Sequence, residues 1–452
     1  MSAPSTKPIG IDRVTPSIET TMFRRPTFGS MLDVNKQLGP GFAALRVALS
    51  IAILWAHAYV ITGLSNEAFW QSGVGRLSMC LVPAFFALSG FLVMGSALRA
   101  QSVEKFVRFR LVRIAPALSV EVFLTALVIG PIATSLPLLN YFSDQEFWSY
   151  FSNIIGFMHY RLPGVFNNLP SQIVNGSLWT IQPEIFCYLW LSYLMISGFA
   201  FKPRLYCGFA LFLMLIDAYV DLKSGASGDR SIGPLFQFRL FTFFVAGGAM
   251  YHMRHSVPYS WSLFIGCILT TIILIAMPIW RALTIPMITY FTMFLGLTPL
   301  PLPFIFKKGD YSYGIYLYAY PIQQIVCQSF PNLRTWYWNV AFALPLTLLA
   351  AIMSWHLVES PALYMKNSRS SEKRQSVGLY TLTIALSTIA CSVYALTLVI
   401  WAGVFSSVNV SIRSNVVTIS LAIALITALA ARKAYTQATL NVARAEPSAP
   451  PC

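Results

Sequence analysis

Residues 42–63 read Phe42-Ala-Ala-Leu-Arg46-Val-Ala-Leu-Ser50-Ile-Ala-Ile-Leu-Trp55-Ala-His57-Ala-Tyr-Val-Ile-Thr-Gly63. A run this long, apolar except for one arginine and one histidine, can cross a bilayer as a helix. The two ionisable residues stand eleven apart. At about 100° per residue that spacing returns to nearly the same azimuth, about 16 Å further along the axis. One face of the helix therefore carries a guanidinium near one end and an imidazole three turns deeper. An ionisable group at mid-membrane costs about 2.5 to 3.5 kcal/mol on insertion scales, so each one marks a candidate functional site.

The rest of the chain has the same character. Of its 452 residues 56% are hydrophobic and 10% charged, against about 25% charged in soluble domains. That excludes a soluble globular protein and points to an all-α polytopic membrane protein. Apolar stretches near 42–63, 76–98, 114–135, 178–199, 205–220, 234–251, 260–278, 282–303, 311–328, 336–357, 377–404 and 416–431 predict twelve crossings. Threading the chain through them puts 22 of the 31 Lys and Arg residues on one side and seven on the other, with Arg46 and Arg239 inside spans. Basic loops stay cytoplasmic, so both termini are expected inside. The net charge of +15 then anchors the protein to an anionic leaflet, and no motif supports a nucleic-acid partner. The Pro-rich first forty residues lack an apolar segment and do not read as a cleaved signal peptide. Six of the seven cysteines lie inside apolar runs, so neither a disulfide framework nor a metal site is expected.

Three places depart from a simple bundle. Pro286, Pro299, Pro301 and Pro303 break the eighth span, the twelfth span is short, and residues 136–177 are too many for a turn and are expected to lie in the interface or re-enter. No internal repeat of the kind that builds many transporters is present.

Within spans the ionisable residues are Arg46, His57, Glu121, Glu184, Asp217 and Arg239. Arg108, Arg110 and Arg113 cluster in the loop expected between the second and third spans, with Arg110 and Arg113 as i, i+3 neighbours if that segment is helical. From charge alone, anchoring of an interfacial helix to the leaflet is the favoured explanation of such a cluster; the functional alternative is a phosphate clamp, because the guanidinium fork suits phosphate oxygens. Glu184 lies just inside the fourth span, where a helix dipole favours a carboxylate.

Taken in order, these residues resemble the acyltransferase-3 family of integral membrane acyltransferases. The resemblance runs from Arg46 and His57 through Pro83-Ala-Phe-Phe-Ala-Leu-Ser89-Gly90 and Arg110-x-x-Arg113-x-x-Pro116. It continues with Ser177-Leu-Trp179, Glu184, Arg239-Leu-Phe-Thr-Phe-Phe-Val-Ala-Gly247, Tyr311-Ser-Tyr313-Gly-Ile-Tyr316 and Val358-Glu359-Ser-Pro361. Seven blocks in order over residues 41–362 are specific where any one is weak. The chain departs from the family at Tyr316-Leu-Tyr-Ala319-Tyr320-Pro321, where Ala319 stands in place of the usual histidine.

The resemblance implies a ten-helix domain over residues 41–365. A flexible cytoplasmic tail (1–40) precedes it, and a basic linker (366–376), two extra helices (377–432) and a C-terminal tail (433–452) follow. It also implies transfer of an acetyl or other short acyl group from cytoplasmic acyl-CoA to a hydroxyl of a glycan or lipid-linked glycan, in a bacterial inner membrane, with no metal. Such O-acetylation modifies polysaccharides of the cell envelope. His57, Arg46, Glu184 and Glu359 are then the expected catalytic residues, with Glu359 pairing with Arg46. Arg108, Arg110, Arg113 and Arg239 are expected to hold acetyl-CoA or a related donor. A neutral imidazole can act as general base and acid or carry the acyl group itself, and both remain open. The rival reading is a transporter or flippase that moves a glycan or lipid without covalent change; the Arg/His face and the Arg-x-x-Arg cluster favour the enzyme.

Reporter fusions test the topology. Fusions at residue 370 and at the C-terminus should both report a cytoplasmic location, and an external signal at 370 would overturn the assignment of sides.

Overall fold

The computed structural model describes residues 26–363, apart from 36–38, 64–68, 70, 101, 225–233 and 276–277. The two C-terminal spans, the linker and both tails expected from the sequence lie outside the described residues. Among those residues there is no strand, only isolated bridges such as Thr134 with Val165.

Ten helices of fourteen residues or more follow one another in the described residues: α1 Phe42–Ile61, α2 Leu81–Ala100, α3 Val103–Leu124, α4 Ile181–Ile196, α5 Pro203–Ser224, α6 Pro234–His252, α7 Trp261–Ile275, α8 Thr284–Leu297, α9 Ser312–Ser329 and α10 Trp336–Ser354. Five segments, built on α1, α2, α3, α5 and α10, are long and apolar enough to cross a membrane, while α7 and α8 are apolar but shorter. The protein is a multi-pass, all-α integral membrane protein.

The distribution of polar residues follows from burial. Helices α6 and α9 carry Arg239, Gln323 and Gln324, and neighbouring helices surround all three side chains. In α5, α7 and α10 large apolar residues such as Phe212, Ile273 and Leu349 stay more than half exposed and face lipid. Where protein replaces lipid, polar groups find partners. Gln323 Nε2 donates to the Leu54 carbonyl (2.9 Å) and to Asn339 Oδ1 (2.9 Å), and Asn339 Nδ2 returns a bond to the Gln323 carbonyl (2.9 Å), which joins α1, α9 and α10.

Two apolar cores flank the site. One gathers α2, α4, α5, α6 and α8; the other joins α3 and α9 to the long segment before α4. That segment, expected to be interfacial or re-entrant, folds into short helices at Leu138–Ser143 and Gln145–Tyr150 and a 3₁₀ turn at Phe151–Ile155, and buries Tyr141, Phe147 and Tyr150. Asn153 fixes its return, donating to the His159 carbonyl (2.9 Å) and accepting from the His159 amide (2.7 Å).

The sequence placed Arg108, Arg110 and Arg113 in a loop, but α3 starts at Val103, capped by Ser102 with Glu104 in its first turn. Only two residues separate it from α2, so the three arginines stand on the first turns of a helix. The eighth span is short and broken, as its prolines imply: α8 ends at Leu297 and a 3₁₀ turn follows at Phe304–Lys307.

Helices α2 and α6 pack backbone to backbone. A Cβ on Gly90 would strike the Phe244 carbonyl, and one on Gly247 would strike the Ala87 carbonyl. Small residues permit this approach in membrane helix pairs. Gly90→Ala should therefore destabilise the detergent-solubilised protein by about 1 to 3 kcal/mol through overpacking. An unchanged thermal midpoint would show that α2 and α6 have room to separate.

Candidate active site

At one end of the bundle four helices bring their charges together. Asp310, two residues before the start of α9, lies between two guanidiniums: its Oδ2 accepts from Arg113 Nη2 at 2.7 Å and pairs with Arg46 Nη1 at 3.0 Å. Its Oδ1 accepts from Ser312 Oγ at 2.6 Å. Arg113 also faces Glu359 Oε2 at 3.8 Å. Glu359 ends a π-helical turn over Trp355–Glu359, a local widening that turns a carboxylate on the last described helix inward and buries it. Burial alone would raise the Asp310 carboxyl, but Arg113, then Arg46 and Ser312, hold it down to about 2.

The expected pairing of Arg46 with Glu359 is thus corrected. Arg46 pairs with Asp310, and Arg113 is the residue that reaches Glu359. The sequence did carry a signal for Asp310, an aspartate directly before the apolar run of α9, which is a common helix-entry pattern.

Arg110 is placed differently from its neighbours. Its guanidinium lies over the rings of Phe106 (5.9 Å) and Tyr188 (5.7 Å), and it forms no ion pair among the described residues. Tyr188 extends the polar region toward α4, donating to Glu184 Oε1 at 2.5 Å and meeting Ser89 Oγ at 3.5 Å. Glu184 lies in the first turn of α4, after a 3₁₀ turn at Gly176–Thr180 that Asn175 caps. Arg108, half-buried, stands about 200° round the helix from Arg110, off the face that meets Tyr188.

From the charged end a polar column climbs α9. Tyr313 lies under Arg113 (5.9 Å) and donates to the Ile114 carbonyl (3.2 Å). Tyr316, next on this face, bonds Thr180 (2.6 Å) and the Ser177 carbonyl (3.0 Å). One turn further, Tyr320 bonds Ser171 (2.9 Å) and meets His57 edge to face, with ring centroids 5.1 Å apart. Ala319, where the family usually has a histidine, is buried, and Tyr320 is the α9 side chain that reaches His57.

His57 stands about 16 Å above Arg46 on α1. Its Nδ1 is buried without a hydrogen-bond partner among the described residues, which leaves this imidazole nitrogen able to take a further partner.

Arg239 lies elsewhere. Its Nε donates to Asp217 Oδ2 (2.9 Å) and its Nη2 to Asp221 Oδ1 (2.7 Å), while Asp221 Oδ2 also accepts from the Ala282 amide (2.7 Å). It lines a small cavity with Pro83 at the start of α2, about 24 Å of helix from the residues at its end where α3 begins. Two carboxylates hold it at the far end, and the structure does not bring it together with Arg110. Asp221 was missed because α5 is a turn longer than its apolar run suggested. No cluster of metal-ligating side chains occurs among the described residues.

The fold and the ordered blocks along it define a class. The family model for the acyltransferase domain of the acyltransferase-3 type matches residues 40–356, and the chain belongs to that family; it is a membrane acyltransferase. It is 27% identical over 343 residues to an O-acetyl transferase of Shigella phage Sf6, a match that covers 74% of this chain and 97% of the relative. It is also 27% identical over 357 residues to nodulation protein 10 of Rhizobium leguminosarum bv. viciae, covering 72% and 92%. No solved structure matches.

A double-mutant cycle tests the charged end. Arg46→Ala and Asp310→Asn should each lower the thermal midpoint in detergent, and the double variant should lose less than the sum. Arg46→Ala combined with Glu359→Gln should be closer to additive. Asp310 has a lowered pKa when folded, so its stabilisation is present above about pH 4 and fades as pH falls toward 2. The gap in stability between wild type and Asp310→Asn should narrow over that window. Additivity of the Arg46–Asp310 pair would show that the two do not interact.

Proposed function

We propose that this chain transfers an acetyl or other short acyl group from acyl-CoA to a hydroxyl of a glycan or lipid-linked glycan. The observation that carries the reading is His57, an imidazole whose Nδ1 is buried without a hydrogen-bond partner among the described residues, set edge to face with Tyr320 at the top of a polar column that begins in a cluster of arginines. The Shigella phage relative, named as an O-acetyl transferase, supports oxygen as the atom acylated.

In this reading the polyanionic end of the donor meets the arginine end, and the thioester is carried toward His57. His57 takes the proton from the acceptor hydroxyl as its oxygen attacks the thioester carbon. The carbon–sulfur bond breaks, and the imidazolium returns the proton to the departing thiolate, so atoms and charge balance. Arg110 is the guanidinium available to the donor, because Asp310 and Glu359 engage Arg113 and Asp310 engages Arg46. Glu184, through Tyr188, orients the aromatic surface on which Arg110 rests. The setting proposed is a bacterial inner membrane with the arginine end cytoplasmic.

His57→Ala should lower transfer from a labelled acyl donor by about 10² to 10⁴-fold, the usual value of general acid–base catalysis, with an unchanged thermal midpoint. Arg110→Ala should raise the KM for the donor more than it lowers kcat, since a group that binds far from the reacting carbon favours ground and transition states alike. Activity of the His57 variant within a few-fold of wild type would make His57 a packing residue and overturn the reading.

A further inference from the structure

Residues 299–310 join α8 to α9 and read Pro299-Leu-Pro301-Leu-Pro303-Phe-Ile-Phe306-Lys307-Lys308-Gly309-Asp310. Prolines at alternate positions deny this stretch a helix and hold it extended, and the 3₁₀ turn at Phe304–Lys307 then brings the chain back against α1. Between the turn and α1 lies a cavity of about 390 Å³. Ala43 and Val47 of α1 and Phe306 of the turn line its apolar sides, Lys307 and Lys308 stand on it, and Asp310 closes it at the charged end.

The charges around this cavity do not cancel. Lys307, Lys308, Arg46, Arg110 and Arg113 outnumber the carboxylates of Asp310, Glu359 and Glu184 at this end of the bundle, which leaves an excess of positive charge. Both lysines are exposed, and Lys308 rests on the Phe304 ring at 4.9 Å. The Nε atoms of Arg46 and Arg110 are buried without hydrogen-bond partners. Such an excess at the end of the bundle where this cavity opens, with two exposed lysines on its lining, suits a multiply charged anion. The apolar sides suit a planar base.

We propose that this cavity is the nucleotide subsite for the donor and that Lys307 and Lys308 hold the 3′-phosphate of coenzyme A at its mouth. The inference rests on the acyl-CoA reading and assigns residues of that site. Lysine fits this position, because an ammonium on a long stem follows a phosphate without demanding a fixed geometry. Asp310 keeps Arg46 and Arg113 engaged, so the phosphate at the mouth falls to the lysines.

The test uses the purified full-length protein in nanodiscs, with binding of coenzyme A and of 3′-dephospho-coenzyme A measured by calorimetry. Wild type should bind coenzyme A at least about tenfold tighter, the scale of one or two charge-assisted hydrogen bonds. The double variant Lys307→Ala, Lys308→Ala should lose that preference while keeping wild-type affinity for the dephospho form. Lys307→Arg with Lys308→Arg should retain it. Both lysines are exposed, so an unchanged thermal midpoint is expected and separates lost binding from lost folding. If the double alanine variant discriminates between the two nucleotides as wild type does, the 3′-phosphate is held elsewhere and the proposal fails while the acyl-CoA reading stands. If wild type binds neither nucleotide, both fall.

Discussion

The carboxylate of Asp310 joins helices that would otherwise repel one another. Arg46 on α1 and Arg113 on α3 are both drawn from water at the same end of the bundle, and two guanidiniums that close need an anion between them. Asp310 supplies it, with one oxygen shared by both arginines and the other held by Ser312. A half-buried pair of this kind adds little net stability compared with a well-packed apolar alternative, but removing one partner leaves an uncompensated charge. Its value is in register. Once Asp310 is fixed, the first residue of α9 is fixed as well, and Tyr313, Tyr316 and Tyr320 follow up one face to meet α3, the turn before α4 and finally His57.

The same physics explains why hydropathy undervalues the central helices. α9 donates and accepts through Gln323, Gln324 and three tyrosines, and α6 carries Arg239; neither reaches the mean hydropathy of a lipid-facing span. Those polar groups are tolerated because neighbouring helices, not lipid, surround them. The outer helices hold the opposite composition, with leucine, isoleucine and phenylalanine left exposed. Arg239 with Asp217 and Asp221 does at the far end what Asp310 does at the near one, tying α5 to α6 and, through the Ala282 amide, to the turn before α8.

What the sequence made legible was whatever lies within one helix. The eleven-residue spacing of Arg46 and His57 placed both on one face, and the i, i+3 spacing of Arg110 and Arg113 required a helix that α3 supplies. What it hid was pairing between helices. Asp310 is 197 residues from Arg113, and no period links them, whereas the glutamate at 359 stands in a conspicuous motif and looks like Arg46's partner. Asp221 fell just outside an apolar window, which left Arg239 looking unpaired and available. Ala319 marks where the family pattern breaks, and only packing shows that the next residue, Tyr320, covers His57. The expected C-terminal spans lie outside the described residues.

The three arginines of α3 therefore divide by partner. The sequence offered anchoring and phosphate binding as two explanations for one cluster, as though its members were equivalent. Arg113 has two carboxylates and a tyrosine ring, a set that fixes a side chain and leaves it little affinity for a further anion. Arg110, one turn earlier, has aromatic faces and no ion pair among the described residues. A guanidinium held over rings keeps its edge free for hydrogen bonds in the ring plane, which is the direction from which phosphate oxygens are gripped. Ion pairing thus fixes Arg113 within the bundle, and the i, i+3 spacing carries Arg110 onto the aromatic surface beside it.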